Sequence, residues 1–151
     1  MSRLRPQRFP PWAPLVMRLA LGVIFVAHGG QKLFGLWGGV GLSATMETFE
    51  KHMGIPPFLT VIAAASEFFG GLAVLVGFLT RPAALALGTV MLVALFKAHL
   101  SHGFFMNWGL VPGRGHGIEF DIALLALSIA LLLTGPGKGS LDSWLGFEKK
   151  S

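Results

Sequence analysis

The 151-residue chain contains no cysteine and little charge: 13% of its residues are Asp, Glu, Lys or Arg, and only 7 are acidic. Without cysteine there is no structural disulfide, no thiolate metal site and no thiol–disulfide relay through this chain, although the compartment is left open. A phosphate-binding glycine loop, a nucleophile elbow and an H-E-x-x-H motif are also missing, so hydrolase and kinase chemistry has no support. No internal repeat is visible. What is abundant is apolar. Hydrophobic residues make up 53% and the mean hydropathy is +0.68, beyond an ordinary soluble domain.

The apolar residues gather in four stretches, 13–35, 58–79, 82–100 and 117–134, each near the ~20 residues a spanning helix needs. The expected fold is all-α: an integral membrane four-helix bundle, antiparallel, with a short interfacial helix between helices 1 and 2. That short helix is read from loop 36–57, where Met46, Phe49 and Met53 recur at 3–4 spacing beside Glu47, Glu50 and Lys51. Pro10, Pro11 and Pro14 bracket the entry to helix 1, and Gly135-Pro136-Gly137 stops helix 4. The glycine-rich loop 102–116 reads as irregular. Gly70, Gly71 and Gly77, with Ala63 and Ala64, offer small surfaces for close helix approach. In domain terms, 1–12 is a basic cytoplasmic head, 13–135 the transmembrane domain and 136–151 a cytoplasmic tail.

Charge distribution sets the orientation. Arg3, Arg5, Arg8, Arg81, Lys138, Lys149 and Lys150 fall on one side of a four-span topology, and Lys51 and Arg114 in the opposite loops. The positive-inside rule then puts both termini in the cytoplasm of a cell membrane. Three arginines beside a membrane span argue against a nucleic-acid partner. A cleaved signal peptide is not expected either, because the first apolar run is long, carries His28 and Lys32, and lacks an A-x-A site.

Ionisable residues inside the spans are costly and mark partners or function. At 1.5 Å rise per residue, from the cytoplasmic edge of a ~30 Å core, His28 and Lys32 fall at roughly 21 and 27 Å and Glu67 at about 17 Å. Lys97 and His99 fall at about 22 and 25 Å, and Glu119 and Asp121 at about 27 and 24 Å. These seven groups share the outer half; Arg18, one turn in, is expected to snorkel to the surface. His28 and Lys32 share a helix face with Phe25. Lys97 and His99 are two apart, as are Glu119 and Asp121, so one member of each pair faces the bundle. Glu67 is deepest and most needs a cation, with Lys97 the first choice and Lys32 the second. No metal centre is expected; haem on His28 and His99 is disfavoured because no other haem signal exists.

The stretch Arg18-x3-Gly22-x2-Phe25-x2-His28-Gly29-x2-Lys32-x2-Gly35 resembles the first-helix motif of the DoxX-like membrane proteins. Glu67-x2-Gly70-Gly71, with Gly77 and Thr80-Arg81, resembles the second. Gly117-x-Glu119 leading to Gly135-Pro136-Gly137-x2-Ser140-Leu141-Asp142 resembles the fourth helix and tail. The resemblance covers the chain from Arg18 to Asp142. It implies a multi-pass protein of a bacterial or archaeal cytoplasmic membrane, and it makes oxidoreductase function plausible without naming a reaction.

Three readings follow. In the first, the chain is a quinone-interacting or accessory subunit of a membrane oxidoreductase. Phe25, Phe68, Phe69 and Phe96 line a slot, His28 and Lys32 donate to a carbonyl, and Glu67 carries protons. Lys97, His99, Glu119 and Asp121 complete the ligand-binding set. Electrons come from a soluble or membrane redox partner, the surroundings are lipid, and a homo-oligomer is compatible; whether the chain is itself an enzyme stays open. The second reading is a structural or assembly subunit whose buried charges hold the bundle. The third is a small transporter or lipid-binding protein, which four helices without inverted repeats make harder to build.

Overall fold

Proline and glycine set the helix limits in the computed structural model, which describes residues 12–147. The expected head residues Arg3, Arg5, Arg8, Pro10 and Pro11, and the tail residues Lys149 and Lys150, lie outside that range. Helix α1 (Ala13–Phe34) has Pro14 in its first turn and ends where Gly35 turns left-handed at φ 68°. One 3-10 turn leads into α2 (Gly41–Met53), the expected interfacial helix, with Met46, Phe49 and Met53 partly buried and Glu47, Glu50 and Lys51 exposed. Helix α3 (Pro57–Val76) starts on Pro57 and stops at Gly77, three residues short of the expected Leu79. Leu79 then adopts φ 47°, a strained turn for a branched side chain, and α4 (Thr80–Ala94) begins at once. Helix α4 runs on through a π-turn, Leu95–His99, and a 3-10 turn, Leu100–His102.

Residues 103–118 form no helix or strand, as expected. Helix α5 (Glu119–Thr134) starts two residues later than expected because the preceding backbone is engaged elsewhere. Gly117 N–H donates to Phe105 and Ile118 N–H to Gly103, each at 3.1 Å. The last helix, α6 (Leu141–Leu145), was not expected; Ser140 caps it by accepting the Ser143 N–H.

Helix α1, helix α3 and the continuous segment Thr80–His102 are long and apolar enough to cross a membrane. Helix α5, at 16 residues, spans about 24 Å and completes the antiparallel bundle. Lipid gives helices no hydrophobic reason to associate, so close packing must hold them. The tightest seam is α1 with α3. A Cβ on Gly71 would stand 2.8 Å from the Val26 nitrogen, and one on Gly29 would collide with the Phe68 backbone. Leu21, Phe25, Val74, Leu87, Leu124 and Leu131 fill the centre.

The end carrying both termini differs most from expectation. Arg18 does not snorkel; it is 1% exposed. Its Nε donates to Val74 O at 3.0 Å and its Nη2 to Leu75 O at 3.0 Å, carbonyls in the last turn of α3. The other donors reach Pro136 O at 2.9 Å and Gly139 O at 3.0 Å in the tail. The five-donor guanidinium fork suits this role, which a surface contact would not use. Asp142 accepts the N–H groups of Leu79 and Thr80, and Arg81 Nη1 donates to the Leu132 carbonyl near the end of α5. The tail therefore packs into the bundle. All four tryptophans are exposed, Trp12 and Trp144 at this end, Trp37 and Trp108 at the other, as in the aromatic belts of membrane proteins.

Candidate functional site

At the loop end, one ion pair and one histidine–carboxylate contact each join two helices. Lys32, in the last turn of α1, places Nζ 2.6 and 2.5 Å from the two carboxylate oxygens of Glu67 on α3. The carboxylate side chain is 3% exposed and the lysine 25%, so the charge on Glu67 is buried and closed from one side by an ammonium with partial access to the surroundings. The close α1–α3 seam at Gly29 brings the two within reach. Thr45 of α2 points its hydroxyl at the carbonyls of Gly41 and Lys32, seating α2 across this part of the seam.

Lys97, the first choice as partner of Glu67, is exposed and has no hydrogen bond or ion pair among the described residues. The reason lies in the π-turn Leu95–His99. One extra residue in the turn rotates all that follows by about 100° relative to a regular helix. It turns Lys97 outward and carries His99 to α5, where Nδ1 lies 2.6 Å from Asp121 Oδ2. Of the two-apart pairs, His99 and Asp121 thus meet within the bundle. Glu119 instead accepts the Trp108 indole N–H at 2.9 Å.

His28 is exposed, one turn before Lys32 on α1 and within electrostatic range of both Lys32 and Glu67, without a direct hydrogen bond to either. The four phenylalanines assigned to a slot do not converge on one. Phe25 is in the core, Phe69 and Phe96 are exposed, and Phe68 packs edge-on against both Phe34 and Phe69. Phe68 directly follows Glu67, so the aromatic group beside the ion pair is Phe34, Phe68 and Phe69. No three His, Cys, Asp or Glu side chains gather at one point among the described residues, and His28, His99 and Glu119 stay apart. Away from this end, a shallow apolar groove runs between α4 and α5 past Gly88, Leu92 and Ser128.

The histidines read from sequence as plain loop residues are His52, His102 and His116; His116 is in the loop and accepts the Asn107 N–H, whereas His102 ends a 3-10 turn and His52 lies exposed in the last turn of α2. Sequence reading missed Asn107, whose buried side chain binds Val111 and Arg114 carbonyls and the Val111 N–H, organising the loop. Its only signal was a polar amide among Gly and Pro turns. It also missed the Arg18 cradle, whose acceptors are backbone carbonyls 56 to 121 positions away and leave no side-chain signature.

Comparison with known proteins agrees with this architecture. The chain is 31% identical over 137 residues to "Putative oxidoreductase CatD" of Bacillus subtilis, covering 91% of this chain and 90% of that protein. It is 32% identical over 131 residues to "Inner membrane protein YqjF" of Escherichia coli, covering 87% and 90%. It is 33% identical over 148 residues to "Uncharacterized membrane protein Rv3486" of Mycobacterium tuberculosis, covering 93% and 85%. No solved structure matches the chain significantly. The DoxX family profile matches residues 13–100, from the start of α1 to just past the π-turn, and the chain belongs to the DoxX family of membrane proteins.

Proposed function

We propose that this protein is a quinone-interacting or accessory subunit of a membrane oxidoreductase system, acting at the loop end of its bundle. One observation carries the reading: Glu67, buried mid-helix in α3, is closed by Lys32 one turn from an exposed His28. Lys32 and His28 supply donors for a carbonyl oxygen, and Glu67 supplies a carboxylate that can hold a proton away from water. Phe34, Phe68 and Phe69 supply an aromatic surface beside them. The relative named as an oxidoreductase in Bacillus subtilis supports the same direction. Electrons come from a partner chain. The reading places both termini in the cytoplasm, and a reporter fused after Lys150 checks this; a periplasmic readout reverses the orientation.

The test uses purified protein in lipid nanodiscs with a short-chain benzoquinone. Wild type is expected to retain the quinone and melt at a higher temperature with it, while His28→Ala and Glu67→Gln insert normally and lose both effects. His52→Ala and His116→Ala are expected to behave as wild type. Absence of both retention and thermal shift in the wild type overturns the proposal.

A structural or assembly role is the second reading, supported because Lys32–Glu67 and His99–Asp121 each bridge two different helices. Buried ion pairs that serve only packing can be replaced together by apolar residues without harm. A Lys32→Met/Glu67→Leu chain that inserts and supports the cell's redox phenotype selects the structural reading.

A further inference from the structure

Residues 103–118 connect the segment Thr80–His102 to α5 without helix or strand, and their surface is the inverse of a water-facing loop. Phe104, Phe105, Trp108, Leu110 and Val111 are all exposed, Trp108 at 76% and Leu110 at 77%. Polar groups between them turn inward. Asn107 is buried, and its amide holds the carbonyls of Val111 and Arg114 and the Val111 N–H within the loop. The indole N–H of Trp108 donates to Glu119 at 2.9 Å, which leaves the ring itself outside.

The start of α5 follows the same pattern. A helix start leaves N–H groups free, and in water they need no protein partner. Here the N–H groups of Gly117, Ile118 and Glu119 donate to Phe105, Gly103 and Phe104 at 3.1, 3.1 and 2.9 Å. Such internal satisfaction is what a bilayer demands, since hydrocarbon offers no hydrogen bonds. Length points the same way. With 16 residues, α5 falls about 6 Å short of a ~30 Å hydrocarbon layer. Its other end is stopped at Gly135 beside the packed tail, so the missing apolar length lies on the side of this loop.

The patch also continues a lipid-facing surface. Phe96 and Leu100, at the end of the preceding span, are exposed and lead directly into Phe104 and Phe105. Helix α2, packed on α1 and α3 at the same end, does the opposite and turns Glu47, Glu50 and Lys51 outward. Apolar exposure is therefore confined to the α4–α5 side.

We propose that residues 103–111 form a membrane-inserted wedge, and that the lipid of the leaflet at the loop end covers this patch. Lipid-exposed irregular backbone does not occur within the hydrocarbon core, so the loop backbone lies at the boundary of headgroups and acyl chains. From there the phenylalanines, Trp108, Leu110 and Val111 reach the upper acyl chains and make up the length that α5 lacks. Arg114, exposed in the same loop, meets the lipid phosphates, as a long cationic side chain does at an interface. The wedge is independent of whether the bundle binds a quinone.

The test places a nitroxide on Val111→Cys, and on Glu47→Cys for comparison, in the full chain in phosphatidylcholine nanodiscs; the protein has no cysteine of its own. Power-saturation EPR reads collisions with oxygen, which dissolves in lipid, and with a water-soluble nickel chelate. The Val111 label is expected to meet oxygen more than nickel, and the Glu47 label the reverse. In parallel, Trp12→Phe/Trp37→Phe/Trp144→Phe leaves Trp108 as the one tryptophan. Its emission is expected to drop when the lipid carries bromine on the upper acyl chain. A Val111 label that meets nickel more than oxygen puts the loop in water and overturns the proposal. A label shielded from both probes is covered by protein, a second copy or another chain, and overturns it as well. Should the labelled variant fail to insert, Trp108 decides alone: emission indifferent to brominated lipid overturns the proposal.

Discussion

The carboxylate of Asp142 accepts the backbone N–H of Leu79 at 2.7 Å and that of Thr80 at 2.9 Å, so the tail supplies the cap for α4 that the local sequence lacks. Both N–H groups belong to a helix start with no side-chain cap of its own. Asp142 in turn donates its backbone N–H to Gly77 O at 2.8 Å, which fixes the turn between α3 and α4 from both directions.

Removing this cap should cost stability. Asp142→Ala is expected to lower the free energy of unfolding by about 1–2 kcal/mol, the range for a lost cap and stranded donors. Glu47→Ala, on the exposed face of α2, should stay within about 0.5 kcal/mol. Thermal melts in one detergent compare the two; equal melting temperatures would show that the cap contributes nothing.

Arg18 should resist conservative replacement. Lysine has the charge but three donors on a single nitrogen, and it cannot reach the ends of α3 and the tail together. Arg18→Lys is expected to destabilise by at least about 2 kcal/mol, since several charge-assisted hydrogen bonds are lost in a buried site. Proteolysis of residues 136–147 should accelerate in the same variant. If the tail stays as protected as in wild type, the cradle does not hold it.

A double-mutant cycle on Lys32 and Glu67 should reveal coupling. Lys32→Met alone strands a buried carboxylate at several kcal/mol and Glu67→Leu alone leaves a partly exposed ammonium without its acceptor at a smaller cost, whereas the pair of changes costs less than their sum. The expected coupling is about 1–3 kcal/mol, read from chemical unfolding. Strict additivity would mean that the 2.5 Å pair carries no net interaction.

Helix α1 and helix α3 approach through glycine, and the seam should be intolerant. Gly29→Ala must push apart two backbones at Phe68, and it is expected to cost about 1–3 kcal/mol or more. Gly88→Ala meets side chains alone, the Ser128 Cβ at 3.3 Å and Leu125 Cδ1 at 3.7 Å, and should cost much less. Melting temperatures that rank the two the other way would contradict the packing.

The sequence shows the helices and the interfacial segment because apolar runs with proline at one end and glycine at the other are local signals. Gly35, Gly54 and Gly77 each end a helix in the left-handed region, where a side chain would be strained. Which charges meet was harder to read. The depth estimates grouped Lys32, Lys97 and Glu67 correctly toward one end but assumed a regular α4, and one π-turn was enough to exchange the partners. For Arg18, a single-helix argument favours snorkelling. The tail that covers it is polar and short, and nothing in its composition shows that it folds back. Phe25, Phe68, Phe69 and Phe96 share a composition but not a direction, because they sit on different faces of three helices.

The Arg18 cradle also has a consequence for the order of synthesis. The guanidinium enters the membrane with the first span, whereas Pro136, Lys138 and Gly139, which supply three of its acceptors, are made after the last span. Before they arrive, α3 offers the guanidinium Val74 O and Leu75 O, and Nη1 has no acceptor. A message cut short before Pro136 would yield the helices of the bundle yet leave this charge unquenched. The bundle is therefore closed at this end only by the segment that is made last.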